Sequence, residues 1–163
     1  MPDPGRHVYP CRPIHCTMLA DMETSDIRRR LRQALEEAKK ATAERRSRAD
    51  LAATAYASFL ASIATPAFRM VANVAKGDGH LFTVFTPADG VRLVSERQGE
   101  DFIEVWLDTS LDPPQVATRV NRVRGRNVTT TEGLLRADAP ILALTDEDVF
   151  AFLLANIGLL VER

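Results

Sequence analysis

Cysteine is nearly missing from this chain. There are two in 163 residues, Cys11 and Cys16, both close to the N-terminus. The body of the chain has none, which excludes a disulfide framework and fits a reducing cytoplasm as its place of work. Histidine is almost as scarce, and beyond residue 15 the chain carries only His80. Glycine and proline are absent from the forty residues that follow Ser25. The excess of one charge sign is missing too: the net charge is −1, which argues against a chain built as a whole to bind nucleic acid.

Familiar chemical signatures are also lacking. No glycine-rich loop is followed by Lys and Ser/Thr, and Gly77-Asp78-Gly79 comes after a helical stretch, the wrong order for a dinucleotide turn. There is no metalloprotease helix, no paired CxxC and no nucleophile elbow. His7, Cys11, His15 and Cys16 are zinc-ligand types, but their spacing matches no familiar site and prolines surround them. No cofactor, metal or catalytic residue is therefore expected. Residues 1–24, with Pro2, Pro4, Pro10 and Pro13 and no apolar core, read as a disordered extension and not as a secretory signal. The plainer expectation for its first 17 residues is that they lie upstream of the real start, with Met18 or Met22 initiating.

A long helix is what the chain has most of. Ser25 and Asp26 can cap its start, since their oxygens accept from first-turn amides. The next residues are rich in Ala, Leu, Arg, Glu, Lys and Gln, all strong helix formers. Ile27, Leu31, Ala34, Ala38 and Ala41 make a thin apolar stripe, with Leu35 beside it, and Arg45 and Arg48 interrupt it. From Leu51 the stripe widens through Tyr56, Phe59, Ile63, Ala67 and Val71. Pro66 should bend or break this helix, with Thr65 as cap and Pro66 as first residue of a second one. Unbroken, the run from Asp26 to Ala75 would extend roughly 75 Å at ~1.5 Å per residue. A compact chain of this length has a radius of gyration of about 15 Å. The first half is thus expected to project and to find company. Leu51 to Phe68 is free of charge, but it is mostly Ala, Ser and Thr, so no membrane span is expected there.

After Lys76 the pattern changes to short β-rich runs between turns. Strands are predicted for His80–Thr86, Val91–Arg97, Asp101–Asp108, Gln115–Val123 and Asn127–Leu135. Pro87-Ala88-Asp89-Gly90 is a hairpin turn in which Gly90 can take the left-handed position. The third strand is apolar on both faces and should be covered on both. Short connections with no helical crossover force an antiparallel meander. Thr145 and Asp148 make a capping box, with Leu144 and Val149 as a hydrophobic staple, and open a last helix to residue 161 that Gly158 could end early. The fold class is α+β: a long N-terminal helix, a four- to five-stranded antiparallel sheet, and a C-terminal helix on the sheet. Residues 25–163 read as one domain. The order of elements resembles that of several small bacterial families that dimerise through a long N-terminal helix, at the level of topology alone.

Charge alternates along the chain: +4 over residues 25–50, −6 over 77–114, +4 over 115–136 and −4 over 137–163. Such alternation suits homotypic pairing as well as an external partner. Three functions are compatible with these features. The first is a non-enzymatic cytoplasmic protein that acts through homotypic or partner contacts of its helix, with Ile27, Leu31 and Leu35 as the contact residues. The second is nucleic-acid binding through Arg122, Arg124 and Arg126 at one hairpin, near Arg119, together with the Arg-rich helix start. No aromatic residue is interleaved there to stack bases. The third is a pocket around Glu104 and Trp106 that holds a ligand or substrate. Glu104 otherwise pairs with Arg92 or Arg119 across the sheet.

Overall fold

The computed structural model describes residues 23–97 and 99–161. The expectations for the N-terminal extension, including the His and Cys residues at positions 7, 11, 15 and 16, lie outside the described residues. The chain divides into two units between Ala41 and Thr42. In the first, residues 24–41 are the opening part of helix α1, which spans Thr24–Phe59 as a whole. Their side chains are exposed apart from a half-buried Asp26, and local pairs such as Asp26–Arg29 (2.7 Å) and Gln33–Glu37 (2.9 Å) line them.

The second unit holds the core. Here α1 runs into a five-residue π turn, Leu60–Ala64, and then directly into α2, Thr65–Gly77. The interruption expected at Pro66 therefore takes the form of a wider turn and not of a loop. Pro66 has no N–H to offer and its ring crowds the preceding turn; the π turn places that defect at a junction. Thr65 does not act as the cap. It stays in helical conformation and its N–H donates to the Leu60 carbonyl, five residues back. Helix α2 ends as its Gly-Asp-Gly sequence requires. The His80 N–H reaches the Ala75 carbonyl (2.9 Å), the Gly79 N–H reaches Lys76 (3.1 Å), and Gly79 takes φ +82°.

Five strands come next: β1 Phe82–Phe85, β2 Gly90–Ser95, β3 Phe102–Asp108, β4 Gln115–Arg124 and β5 Asn127–Leu134. They pair in chain order, all antiparallel. One face carries Val91, Leu93, Ile103, Val105, Val116 and Val120, all buried, and packs against α2 and against α3, Asp146–Val161. Phe68 of α2 and Leu153 of α3 are fully enclosed in that layer, each worth about 1.5–3 kcal/mol of burial. Tyr56 ties the end of α1 to the sheet. Its hydroxyl lies 3.2 Å from the Asp89 carbonyl and 3.3 Å from that of Val105, and burial pushes its pKa well above the usual phenol value.

Two expectations about the sheet change. Gly90 is not left-handed; what it supplies is room, because a methyl group there would collide with the Val105 carbonyl oxygen. The third strand is central, but the buried apolar side chains lie on one face. Its other face is covered by arginine: Arg92 lies over the Phe102 ring at 4.3 Å, and Arg119 over Trp106 at 4.7 Å.

Helix α3 starts on the capping box. The Thr145 N–H donates to Asp148 Oδ2 at 2.8 Å, and the Asp148 N–H returns to Thr145 Oγ1 at 3.4 Å. It continues past Gly158 to Val161.

Candidate functional site

The residues singled out in the sequence fall in three places. Ile27, Leu31 and Leu35 lie on the opening part of α1 and are 46, 56 and 51% exposed. Apolar side chains at this spacing share one flank of a helix, because residues three and four apart are neighbours. The flank that contains them carries no buried residue until Tyr56 and Phe59.

The arginines of the β4–β5 hairpin do not gather into one patch. Strand alternation sends Arg119 to the outer face and Arg122 and Arg124 to the helix side, while Arg126 sits exposed in the turn with Gly125 at φ +61°. Arg124 is a structural tie. Its Nη1 donates to the buried Asp101 carboxylate at 2.7 Å and its Nη2 to the Leu159 carbonyl of α3 at 2.7 Å. Asp101 also accepts the Val123 N–H at 2.6 Å. A guanidinium held this way is committed to the fold, whereas Arg126 remains accessible to a partner.

Glu104 and Trp106 are on the outer face. The register sets Arg92, Glu104, Arg119 and Glu132 in one row across four strands. Arg92 grips Glu104 Oε1 (2.7 Å), Arg119 stands 3.6 Å from Oε2, and Arg119 Nε donates to Glu132 at 2.8 Å. Both oxygens of Glu104 are engaged by guanidinium groups, and its burial comes from the side chains that hold it. The cross-strand pairing anticipated from the sequence is thus present. Of the two contacts to Glu104 only that of Arg92 has full hydrogen-bond geometry, and the row amounts to a charge ladder on a sheet surface.

Two features escaped the sequence. Arg48 of α1 grips Asp112 in the β3–β4 loop with paired bonds of 3.0 and 2.9 Å, across 64 positions. That pairing holds the Asp112 carboxyl below its usual range. The second is a cleft of about 440 Å³ between α2 and α3, walled almost wholly by apolar side chains. The signal for it was the breadth of the apolar surface of α2, which exceeds what the sheet can cover: Met70 and Val74 remain exposed.

Among the described residues no group of three or more His, Cys, Asp or Glu stands where it could hold a metal. One 18-residue window within Thr24–Gly77 reaches a mean hydropathy of 1.4, with 28% of it buried. By length and composition that stretch could cross a membrane, a test that a core helix also passes. No known protein family matches the chain, nor does a curated protein or a solved structure.

Proposed function

We propose that this chain is a non-enzymatic interaction protein of the cytoplasm, and that it pairs with a second copy of itself through the opening part of α1. The observation that carries the reading is the exposure of Ile27, Leu31 and Leu35 along a helix whose other residues there are charged, polar or small. In proteins most helical stability comes from packing of an apolar face, and the side chains of residues 27–41 are exposed. The stripe suits a second copy because it is large at one end and small at the other. Antiparallel pairing centred between Ala34 and Ala38 sets Leu31 of each copy against Ala41 of its mate. Large on small is how facing helices interdigitate.

Cross-linking tests both the pairing and its direction. With Cys11 and Cys16 changed to Ser, a chain carrying Leu31→Cys is mixed with one carrying Ala41→Cys. The antiparallel arrangement gives the mixed disulfide ahead of either self-linked product. Absence of any cross-linked species at high micromolar concentration would contradict the pairing.

A further inference from the structure

The two edges of the sheet are finished differently. At one edge β1 is only four residues long, its first three residues are half-buried beside α2, and Pro87 follows closely. Shortness, cover and proline are common means of keeping an edge from pairing with another chain. The other edge, β5, has none of them. It is eight residues long and every residue is exposed. It holds no proline and no lysine, and its register with β4 runs unbroken from Asn127 to Leu134. Its one charge, Glu132, is already held by Arg119 at 2.8 Å. Among the described residues β4 is its only strand neighbour.

The register tells which backbone groups are left over. The Leu135 N–H donates to the Val116 carbonyl at 2.9 Å, so these two residues form a hydrogen-bonded pair. Bonded and non-bonded pairs alternate along an antiparallel ladder. Gly133, Thr131 and Thr129 therefore turn their backbone groups to β4. Val128, Thr130, Glu132 and Leu134 turn theirs outward. Outward N–H and C=O groups at every second residue fit one kind of occupant, another extended strand.

The outer face says what that strand carries. The row Arg92, Glu104, Arg119, Glu132 alternates in sign and stops at the edge on a carboxylate. The next place in the row, directly opposite Glu132, calls for a cation, because opposite charges across strands attract and like charges repel. Leu134 and Val128, 37 and 62% exposed on the same face, call for apolar or β-branched residues opposite them. A second copy of β5 does not meet this demand. Setting Arg126 of the mate opposite Glu132 leaves Leu134 beyond the end of the mate's strand. Setting Val128 opposite Leu134 puts the uncharged Thr130 opposite Glu132.

We propose that β5 is a docking edge for an extended basic segment of another protein, which adds an antiparallel strand to the sheet with Lys or Arg opposite Glu132. The segment is held by the outward backbone groups of β5 and chosen by the charge at the end of the row. This edge is separate from the flank of α1 that pairs with a second copy.

The test uses the full chain carrying Leu31→Glu and Leu35→Glu, so that pairing through α1 plays no part in the result. The probe is the peptide acetyl-Thr-Val-Thr-Lys-Thr-Thr-Thr-Val-Thr-amide. Running antiparallel, it sets Lys opposite Glu132 and Val opposite both Leu134 and Val128. A control peptide has Glu in place of Lys. Nuclear magnetic resonance follows the titration and the amide exchange of β5. At saturation the Lys peptide slows exchange at the outward amides of Val128, Thr130, Glu132 and Leu134 by about tenfold or more. The Glu peptide binds about fivefold more weakly. Glu132→Lys reverses the order of the two peptides. Thr130→Pro removes an outward N–H, leaves the bonds to β4 in place and abolishes binding of both. No protection at these amides, equal affinity for the two peptides, or an order unmoved by Glu132→Lys overturns the proposal. So does a dimer of the Leu31→Glu, Leu35→Glu chain that Thr130→Pro dissociates, which gives the edge to a second copy.

Discussion

Arg124 and Asp101 close one end of the core: their side chains meet at 2.7 Å, and the carboxylate is fully buried. The same guanidinium holds the Leu159 carbonyl, so one side chain joins β4, the start of β3 and the last turns of α3. One of the three hairpin arginines offered for phosphate contact is thus committed to the fold.

Arg124→Ala is therefore expected to destabilise the chain by about 3 kcal/mol, the low end of the cost of removing one partner from a buried pair. The low end applies because Arg124 retains 26% of its side chain in solvent, which screens the pair. Arg126→Ala, in the exposed turn, should stay within about 0.5 kcal/mol of the parent. Urea unfolding of both variants checks the contrast, and equal effects would show that Arg124 is not a tie.

Gly90→Ala forces a methyl group into the Val105 carbonyl, which belongs to the adjacent strand and cannot withdraw without disturbing the sheet. A loss of about 1–3 kcal/mol is expected, as for other overpacked sites. An unchanged urea midpoint would mean that the hairpin has more slack than its register implies.

Acid should weaken the fold through Asp148 and Asp112. The Thr145 amide, with the Thr145 hydroxyl and Arg136, holds the Asp148 carboxyl below its ordinary value, and Arg48 does the same for Asp112. A carboxyl depressed on folding contributes stability that is present above the unfolded value of 3.8 and is lost as pH falls through the lower folded value. Asp148 is the better shielded of the two, with 17% of its side chain exposed against 36%. Stability measured from about pH 6 to about pH 3 should fall, and Asp148→Asn should flatten that fall. An unaltered pH dependence in the variant would remove Asp148 from the explanation.

Local chemistry was legible in the sequence and long-range ties were not. The capping box at Thr145 and Asp148 is spelled out within four residues, and the turns that bound the strands are carried by neighbouring Gly and Pro. The pairing of Glu104 with Arg92 could be read because adjacent antiparallel strands place such residues opposite each other. The bonds from Arg124 to Leu159 and from Arg48 to Asp112 join residues 35 and 64 positions apart, with no local pattern to announce them. What covers the outer face of β3 was not legible for a related reason. Apolar residues on both faces imply burial, but the aliphatic and planar parts of arginine supply that cover as well as a second layer would. Pro66 announced an interruption, while its form, a π turn, depends on how the helix continues to pack beyond it.

Sedimentation equilibrium of the full chain, over low to high micromolar concentration, bears most directly on the central proposal. Pairing through α1 predicts a concentration-dependent dimer that dissociates when Leu31→Glu and Leu35→Glu are introduced together, with the sheet's thermal unfolding unchanged. A monomer at every concentration, or a dimer indifferent to both substitutions, would contradict it.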